Sequence, residues 1–143
     1  MRKFSFCSNW TCKHLGAPEM GAPVLIPHDA MLAESRTELA ACGINGAWFE
    51  GHDYLYEKHF TPGPELANKK LILEFEGVYR KAEVLVNGEK LAFRPYGYTN
   101  FYVDVTDYLK NGHLILSILV YTFFSRMFDL MLHPVVKHSI AGA

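Results

Sequence analysis

The sequence predicts an all-β protein with a mainly antiparallel sheet, and two features of its middle third carry this prediction. Apolar side chains recur at every second position in three short runs, over residues 71–76, 83–87 and 101–106. This period of two is typical of half-buried strands, because successive side chains of a strand point to opposite faces of the sheet. Between two such runs lies the pair Asn87-Gly88, which tolerates the positive φ angles of a type I′ turn and indicates a β-hairpin.

The other elements are predicted from short apolar runs and from the prolines and glycines that interrupt them. We expect residues 1–23 to be irregular and residues 30–41 to form a loop with one helical turn. Many short strands at close spacing, with little helix, favour a two-layer sandwich. The remaining strands are expected at 24–26, 54–60, 91–93 and 114–121, and a single helical turn is expected at 106–112.

The length of the chain indicates a single domain, and its net charge does not indicate a polyanion as a partner. At 143 residues it has room for one domain, and 50% of its residues are hydrophobic, which is enough for a core. Its formal net charge is -1, so neither nucleic acid nor an anionic membrane is an expected partner. We expect a β-sandwich domain over residues 1–121, followed by an atypical apolar tail over 122–143 that is not a separate domain.

The cysteine content favours a reducing compartment. Cys7, Cys12 and Cys42 are odd in number and lack the spacing of a metal site, so reduced thiols are expected rather than a disulfide. The N-terminus has two basic residues but no apolar run after them, and no signal peptide is predicted. Both observations favour a cytoplasmic location.

The C-terminal tail is rich in phenylalanine and methionine. The apolar run over 114–124 is too short to span a bilayer, and charged residues interrupt the segment after it, so a membrane helix is not expected. If it were exposed, such a segment would associate with other apolar surfaces. We therefore expect residues 122–143 to pack on the sandwich, or residues 114–136 to mediate association with a second copy of the chain.

Six short motifs follow one another in an order that is similar to that of a known protein family. They are LIPHD at 25–29, YEKHF at 56–60, FEGV at 75–78, VLVNG at 84–88, YGYTNF at 96–101 and DVT at 104–106. Each motif alone is weak, but six in this order are specific. Over residues 8–121 they resemble the N-terminal sugar-binding domain of glycoside hydrolase family 2, the family of β-galactosidases and β-glucuronidases. The resemblance implies a jelly-roll β-sandwich of the galactose-binding type.

The chain departs from that family in two ways. Members of the family carry an immunoglobulin-like domain and a TIM barrel beyond this domain, and both catalytic glutamates lie in the barrel. No residue of this chain matches either glutamate. After the turn at 109–112 the sequence leaves the family's pattern and continues into the apolar tail. A shifted reading frame in a once longer gene would produce this change, and translating the DNA beyond codon 112 in the other two frames tests that hypothesis.

Residues 94–98 are the expected carbohydrate-binding segment. Sugars are bound by aromatic faces, which cover their C–H patches, and by planar groups with several donors, which bond their hydroxyls. Arg94, Tyr96 and Tyr98 offer both, and Trp48 extends the aromatic surface. The alternative is that the two tyrosines pack at an edge of the sandwich with their hydroxyls bonded to the backbone. On the functional interpretation, the ligand is a β-galactoside or a related sugar.

Five further residues are expected to have structural roles. His28 and Asp29 follow a strand-stopping proline and are expected to form a hydrogen-bonded corner that fixes a loop, rather than a polar contact in a pocket. Gly77, Asn87 and Gly88 lie in the family-like motifs, and the resemblance implies that they belong to the framework of the sandwich.

No catalytic residue, metal ligand or cofactor is predicted. Glu74 and Glu76 lie near each other on one strand face, and a retaining glycosidase needs two carboxyl groups about 5 Å apart, but a solvated face is the simpler interpretation. His28, His52 and His59 do not have the spacing of a standard metal site. No serine or cysteine lies in a recognisable nucleophile turn.

The residues leave three functions open. The first is a non-catalytic scaffold or sugar-binding domain of a family 2 glycoside hydrolase, implied by the resemblance. The second is a carbohydrate-binding module that acts alone. The third is a relic that associates with itself through its tail. A complete small hydrolase is not supported, because no acid/base and nucleophile set is present.

Overall fold

The computed structural model describes residues 2–78, 81–96, 99–121 and 134–139. Within these ranges all regular elements are strands or short 3₁₀ helices, which confirms the predicted all-β fold. No helix in the described part of the chain is long and apolar enough to cross a membrane. The strands are β1 (Arg2–Ser5), β2 (Trp10–His14), β3 (Ala22–Val24), β4 (Tyr54–Phe60), β5 (Lys70–Phe75), β6 (Ala82–Val86), β7 (Glu89–Arg94), β8 (Phe101–Asp104), β9 (Leu114–Val120) and β10 (Pro134–Ser139).

The strands form two antiparallel sheets. A four-stranded sheet has the order β1-β10-β5-β8, and a six-stranded sheet has the order β3-β2-β4-β9-β6-β7. Short 3₁₀ helices lie in the connections, at Ala30–Ala33, Gly43–Gly46, Pro64–Leu66 and Thr106–Asn111.

The core is formed by alternate side chains of both sheets. On β9 every second residue from Leu114 to Val120 is buried, and the residues between them are partly exposed. Within the four-stranded sheet, the paired residues Phe75 and Phe101 stack with their ring centres 4.6 Å apart. The buried side chains of the two sheets belong to one hydrophobic cluster. This is the arrangement that the period of two predicts, because one face of each strand is removed from water.

The predicted hairpin is confirmed. Asn87 and Gly88 both have positive φ, at 50° and 82°, and they connect β6 to β7. The side chain of Asn87 also anchors the turn to the neighbouring strand, since its Oδ1 accepts a hydrogen bond from the Ile115 amide at 2.8 Å. The predicted turn after β8 is likewise present, and it ends at Gly112 with φ 73°.

The prediction that residues 1–23 are irregular is wrong. They contain β1, β2 and most of β3. The strand predicted at 24–26 is shifted as well, since β3 ends at Val24. A proline at position 23 can lie in β3 because this strand is at the edge of its sheet, where one side of the backbone needs no ladder partner. Trp10, the first residue of β2, is fully buried in the core, and its indole N–H donates a hydrogen bond to the Phe6 carbonyl at 2.8 Å.

Part of the predicted tail is a strand of the sandwich. β10 lies between β1 and β5 in the four-stranded sheet, antiparallel to both. Residues 122–133 are outside the described ranges, and the boundary placed at residue 121 stays a prediction. Association through residues 114–136 also stays a prediction, although β9 is already paired on both sides, with β4 and with β6.

Candidate functional site

Sheet register brings the predicted sugar-binding positions to one end of the six-stranded sheet. Paired positions run from Tyr54 on β4 through Val120 on β9 and Ala82 on β6 to Arg94 on β7. Neighbouring strands are about 4.8 Å apart, so Tyr54 and Arg94 are separated by about 14 Å. Trp48 lies in the connection that leads into Tyr54.

Arg94 and Tyr96 are open to solvent. Tyr96 is 76% exposed, so its ring is not packed into an edge of the sandwich. The guanidinium carbon of Arg94 lies 5.0 Å from the centre of the Phe101 ring, a cation–π distance that orients this exposed side chain. An accessible phenol beside an oriented guanidinium provides the stacking surface and the donors that a sugar needs. Tyr98 lies outside the described residues.

Trp48 is presented by an unusual backbone conformation. Its φ is 63° and that of the preceding Ala47 is 45°, so two consecutive residues are left-handed without being glycine. The indole packs over Gly43, where a Cβ would lie 3.7 Å from the ring, and the Trp48 amide donates to the Gly43 carbonyl at 3.0 Å. Trp48 remains 40% exposed. Trp48 and Arg94 thus have different immediate neighbours, and their joint action on one ligand stays a prediction.

His28 and Asp29 form a corner, but each has a different partner. Asp29 Oδ1 accepts a hydrogen bond from the Met31 amide at 3.0 Å and caps the 3₁₀ helix that begins at Ala30. His28 Nδ1 lies 2.8 Å from the hydroxyl of Tyr56. Burial lowers the pKa of His28, with the nearby Asp29 carboxylate acting in the opposite direction, and burial raises the pKa of Tyr56. Gly77, from the same set of motifs, lies just after β5 and is partly buried.

The prediction of a solvated face is wrong for Glu74. Glu74 is only 4% exposed, and its carboxylate contacts the Lys3 ammonium at 2.8 Å and the Tyr102 hydroxyl at 2.9 Å. Glu76 is much more exposed and lies 3.7 Å from the same ammonium. A carboxylate held by a cation and a phenol is a structural group. The two glutamates therefore do not resemble an acid and a nucleophile that face a substrate.

A cleft that sequence reasoning missed lies at the other end of β4. It has a volume of about 820 Å³ and lies between residues 62–70 and residues 104–112. Lys70 and Asp104 form an ion pair of 3.2 Å at its wall. Burial raises the pKa of Asp104, but hydrogen bonds from Thr106 and Lys70 outweigh it, and the pKa of this carboxyl lies below its usual value. Its residues come from two separate loops, so no local pattern indicated it.

A second missed group is centred on Glu34, in the connection between β3 and β4. The Nε2 atom of His14 lies 2.5 Å from Glu34 Oε1, and the Nε2 atom of His52 lies 3.6 Å from Glu34 Oε2. The two imidazole rings stack with their centres 4.2 Å apart. Tyr54 donates its hydroxyl hydrogen to Glu34 Oε1 at 2.9 Å. These four side chains come from three segments that are far apart in the sequence.

Comparison with known proteins agrees with the fold and the motifs. The profile of the family described as glycosyl hydrolase 2 galactose-binding domain-like matches residues 29–129. The chain belongs to this family. The resemblance drawn from the six motifs is thereby confirmed.

Relatives of this galactose-binding-like domain are much longer than the chain itself. The β-galactosidase BoGH2A of Bacteroides ovatus is 38% identical over 85 residues, which are 59% of this chain and 10% of that protein. A β-galactosidase of Thermoanaerobacter pseudethanolicus is 40% identical over 70 residues, 46% of this chain and 9% of that protein. The chain therefore spans about a tenth of these curated relatives.

Solved structures show the same relationship. A β-glycosidase from Bacteroides vulgatus superposes with a TM-score of 0.83 and 25% identity, over 96% of this chain and 20% of that one. A glycosyl hydrolase family 2 member from Bacteroides cellulosilyticus superposes with a TM-score of 0.81 and 24% identity, over 96% and 20% of the two chains. The galactose-binding-like domain is thus one module of such larger proteins.

Proposed function

We propose that this chain acts as a non-catalytic part of a family 2 glycosidase, in which it supports the catalytic domain and contributes to holding the sugar. The observation that supports this most directly is the superposition of nearly the whole chain on one fifth of a β-glycosidase. Such a module would contribute to catalysis only indirectly. It would form a wall of the substrate pocket that orients the sugar and excludes water. The buried, paired state of Glu74 agrees with this role, because it leaves no poised carboxyl pair on that strand face.

The sugar-contacting surface of this proposal consists of Arg94 and Tyr96, at the end of β7, and of Trp48. Its ligand is a β-galactoside or a related sugar, as the names of the relatives indicate. Tyr96 is accessible for stacking on the ring, and Arg94 can bond two hydroxyls, or a carboxylate in the case of a glucuronide. A cytoplasmic location is part of this proposal, and it rests on the odd number of cysteines in the sequence.

Titration of the chain with methyl β-galactoside and methyl β-glucuronide, followed by NMR chemical-shift changes, tests the sugar-binding part. We expect saturable binding that Tyr96→Ala and Arg94→Ala each weaken at least tenfold. Phe93→Ala is the matched control, because Phe93 is also exposed on β7. Binding that persists in the Tyr96 and Arg94 variants, or absence of binding to either sugar, would refute this surface.

Assays with nitrophenyl glycosides test the non-catalytic part. No turnover by the chain alone is expected, since its role is to support another domain. Measurable turnover that survives further purification would overturn the proposal. Self-association through residues 114–136 is the alternative role, and light scattering decides it: a monomer at all accessible concentrations excludes that role.

A further inference from the structure

The side chains around Glu34 converge as metal ligands do. Each of His14, Glu34 and His52 offers one ligand atom, and these three atoms all lie within 4.8 Å of one another. In both histidines the converging atom is Nε2, and the two nitrogens approach different oxygens of the same carboxylate. The two rings stack with their centres 4.2 Å apart, and both present Nε2 to the Glu34 carboxylate.

The donor set suits a borderline divalent cation. Zinc prefers imidazole nitrogen and carboxylate oxygen, and sites with three protein ligands leave the fourth position to water. Bonds of about 2.0–2.1 Å in a tetrahedral shell place donor atoms about 3.3 Å apart. The three ligand atoms now lie within 4.8 Å of one another, so the side chains would rotate to bring them to that spacing around an ion. Both imidazoles are nearly half exposed, which leaves a route for the ion and its water.

The carboxylate is oriented by a further residue, as ligating carboxylates usually are. Glu34 is largely buried, and Tyr54, a core residue, donates a 2.9 Å hydrogen bond to its Oε1. Tyr54 would fix Glu34 without contacting the ion.

We propose that His14, Glu34 and His52 form a binding site for one zinc ion, with water as the fourth ligand. The site would join the end of β2 to two points of the long connection between β3 and β4, since Glu34 follows its first 3₁₀ helix and His52 lies just before β4. That connection has little regular structure: two 3₁₀ helices and a single bridge between Arg36 and Phe49. Zinc would stabilise the loop that carries Trp48. The site does not depend on sugar binding.

A second group of two histidines and one glutamate provides a matched control. His59 lies 3.3 Å from His113 through its Nδ1 atom and 3.1 Å from Glu57 through its Nε2 atom. Because the two nitrogens of one ring point in opposite directions, these contacts do not converge on a single ion. The same residue types are thus present twice in the chain, in a converging and in a diverging arrangement.

Calorimetric titration of the chelator-treated 143-residue chain with Zn²⁺, and visible absorption after addition of Co²⁺, test the proposal. We expect one zinc per chain, tetrahedral Co²⁺ bands that Zn²⁺ removes, and a rise of the melting temperature with zinc. His14→Gln, His52→Gln and Glu34→Gln should each weaken zinc binding at least tenfold, and Tyr54→Phe should weaken it less. His59→Gln and His113→Gln should leave it unchanged. Circular dichroism of the metal-free variants shows whether each is folded.

Three results would overturn the proposal. The wild-type chain could fail to bind zinc, or bind it without tetrahedral Co²⁺ bands. Binding could persist at full strength in both His14→Gln and His52→Gln. Binding could also be lost in His59→Gln or His113→Gln. The variants at His14 and His52 change partly exposed side chains, so they remain informative if Glu34→Gln does not fold.

Discussion

Lys3 and Glu74 form a 2.8 Å ion pair that connects β1 to β5, although these two strands are not neighbours. β10 lies between them, and the lysine reaches across it diagonally. Interaction with Glu74 raises the pKa of Lys3, against the opposing effect of desolvation. Tyr102 on β8 completes the group by donating to the other carboxylate oxygen. One buried carboxylate thus joins three strands of the four-stranded sheet.

Removing the cation should destabilise the sandwich more than removing the phenol. Tyr102→Phe deletes one hydrogen bond and is expected to lower the free energy of unfolding by about 1 kcal/mol. Lys3→Met leaves the buried carboxylate of Glu74 without its cation and should have the larger effect. Urea denaturation of the two variants gives the order. Equal stability of wild type and Lys3→Met would contradict the structural role assigned to this ion pair.

The sequence predicted the fold well in those strands where apolar and polar residues alternate. The period of two identified β5, β6 and β8, because alternate residues of these strands are buried in the core. β1 gave no such signal, since most of its residues are exposed. Its stability comes from pairing with β10 at the opposite end of the chain, and no local pattern can show that.

A candidate site could be predicted from the sequence only where its residues lie in one short segment. Arg94 and Tyr96 are two residues apart, and the structure leaves both accessible. The group around Glu34 gathers residues from β2, from the connection after β3 and from the start of β4, with no motif spacing. Glu74 shows the reverse error: the alternation indicated a solvent-exposed side chain, but a lysine from a distant strand covers it.

Asn87 should be the most sensitive residue of the β6–β7 hairpin. Asn87→Ala places an alanine at φ 50° and also removes the acceptor of the Ile115 amide, with an expected loss of about 2 kcal/mol. Asn87→Gly keeps the backbone freedom and loses only the hydrogen bond, with an expected loss of about 1 kcal/mol. Guanidinium denaturation measures both. If the two variants are equally stable, backbone strain has no part in the effect.

His28 should make the domain less stable in mild acid. Burial places its folded-state pKa below the unfolded value of about 6.5, so the unfolded chain binds a proton more readily in the pH range just below 6.5. Stability is therefore lost as pH falls through that range. His28→Gln should flatten this part of the profile, whereas Tyr56→Phe should retain it, since burial rather than the phenol is the main cause. Melting temperatures measured at closely spaced pH values distinguish the two variants.

Cys12 should weaken the fold in alkali. Burial raises the pKa of its thiol from 9.0 to about 11, with a hydrogen bond to Tyr56 acting in the opposite direction and Glu34 adding to the rise. The folded chain therefore retains a proton that the unfolded chain has lost, and stability falls as pH rises from about 9 to about 11. Because the thiol is partly exposed and solvent screens it, the expected loss is about 1 kcal/mol.

Cys12→Ala should reduce the slope of stability against pH in this window, although Tyr54 and Tyr56 add a loss of the same sign at higher pH. Urea midpoints between pH 8 and pH 11 measure the slopes, and mass spectrometry after iodoacetamide at pH 8 should find Cys12 largely unmodified. Rapid alkylation of Cys12 at that pH would contradict the raised pKa.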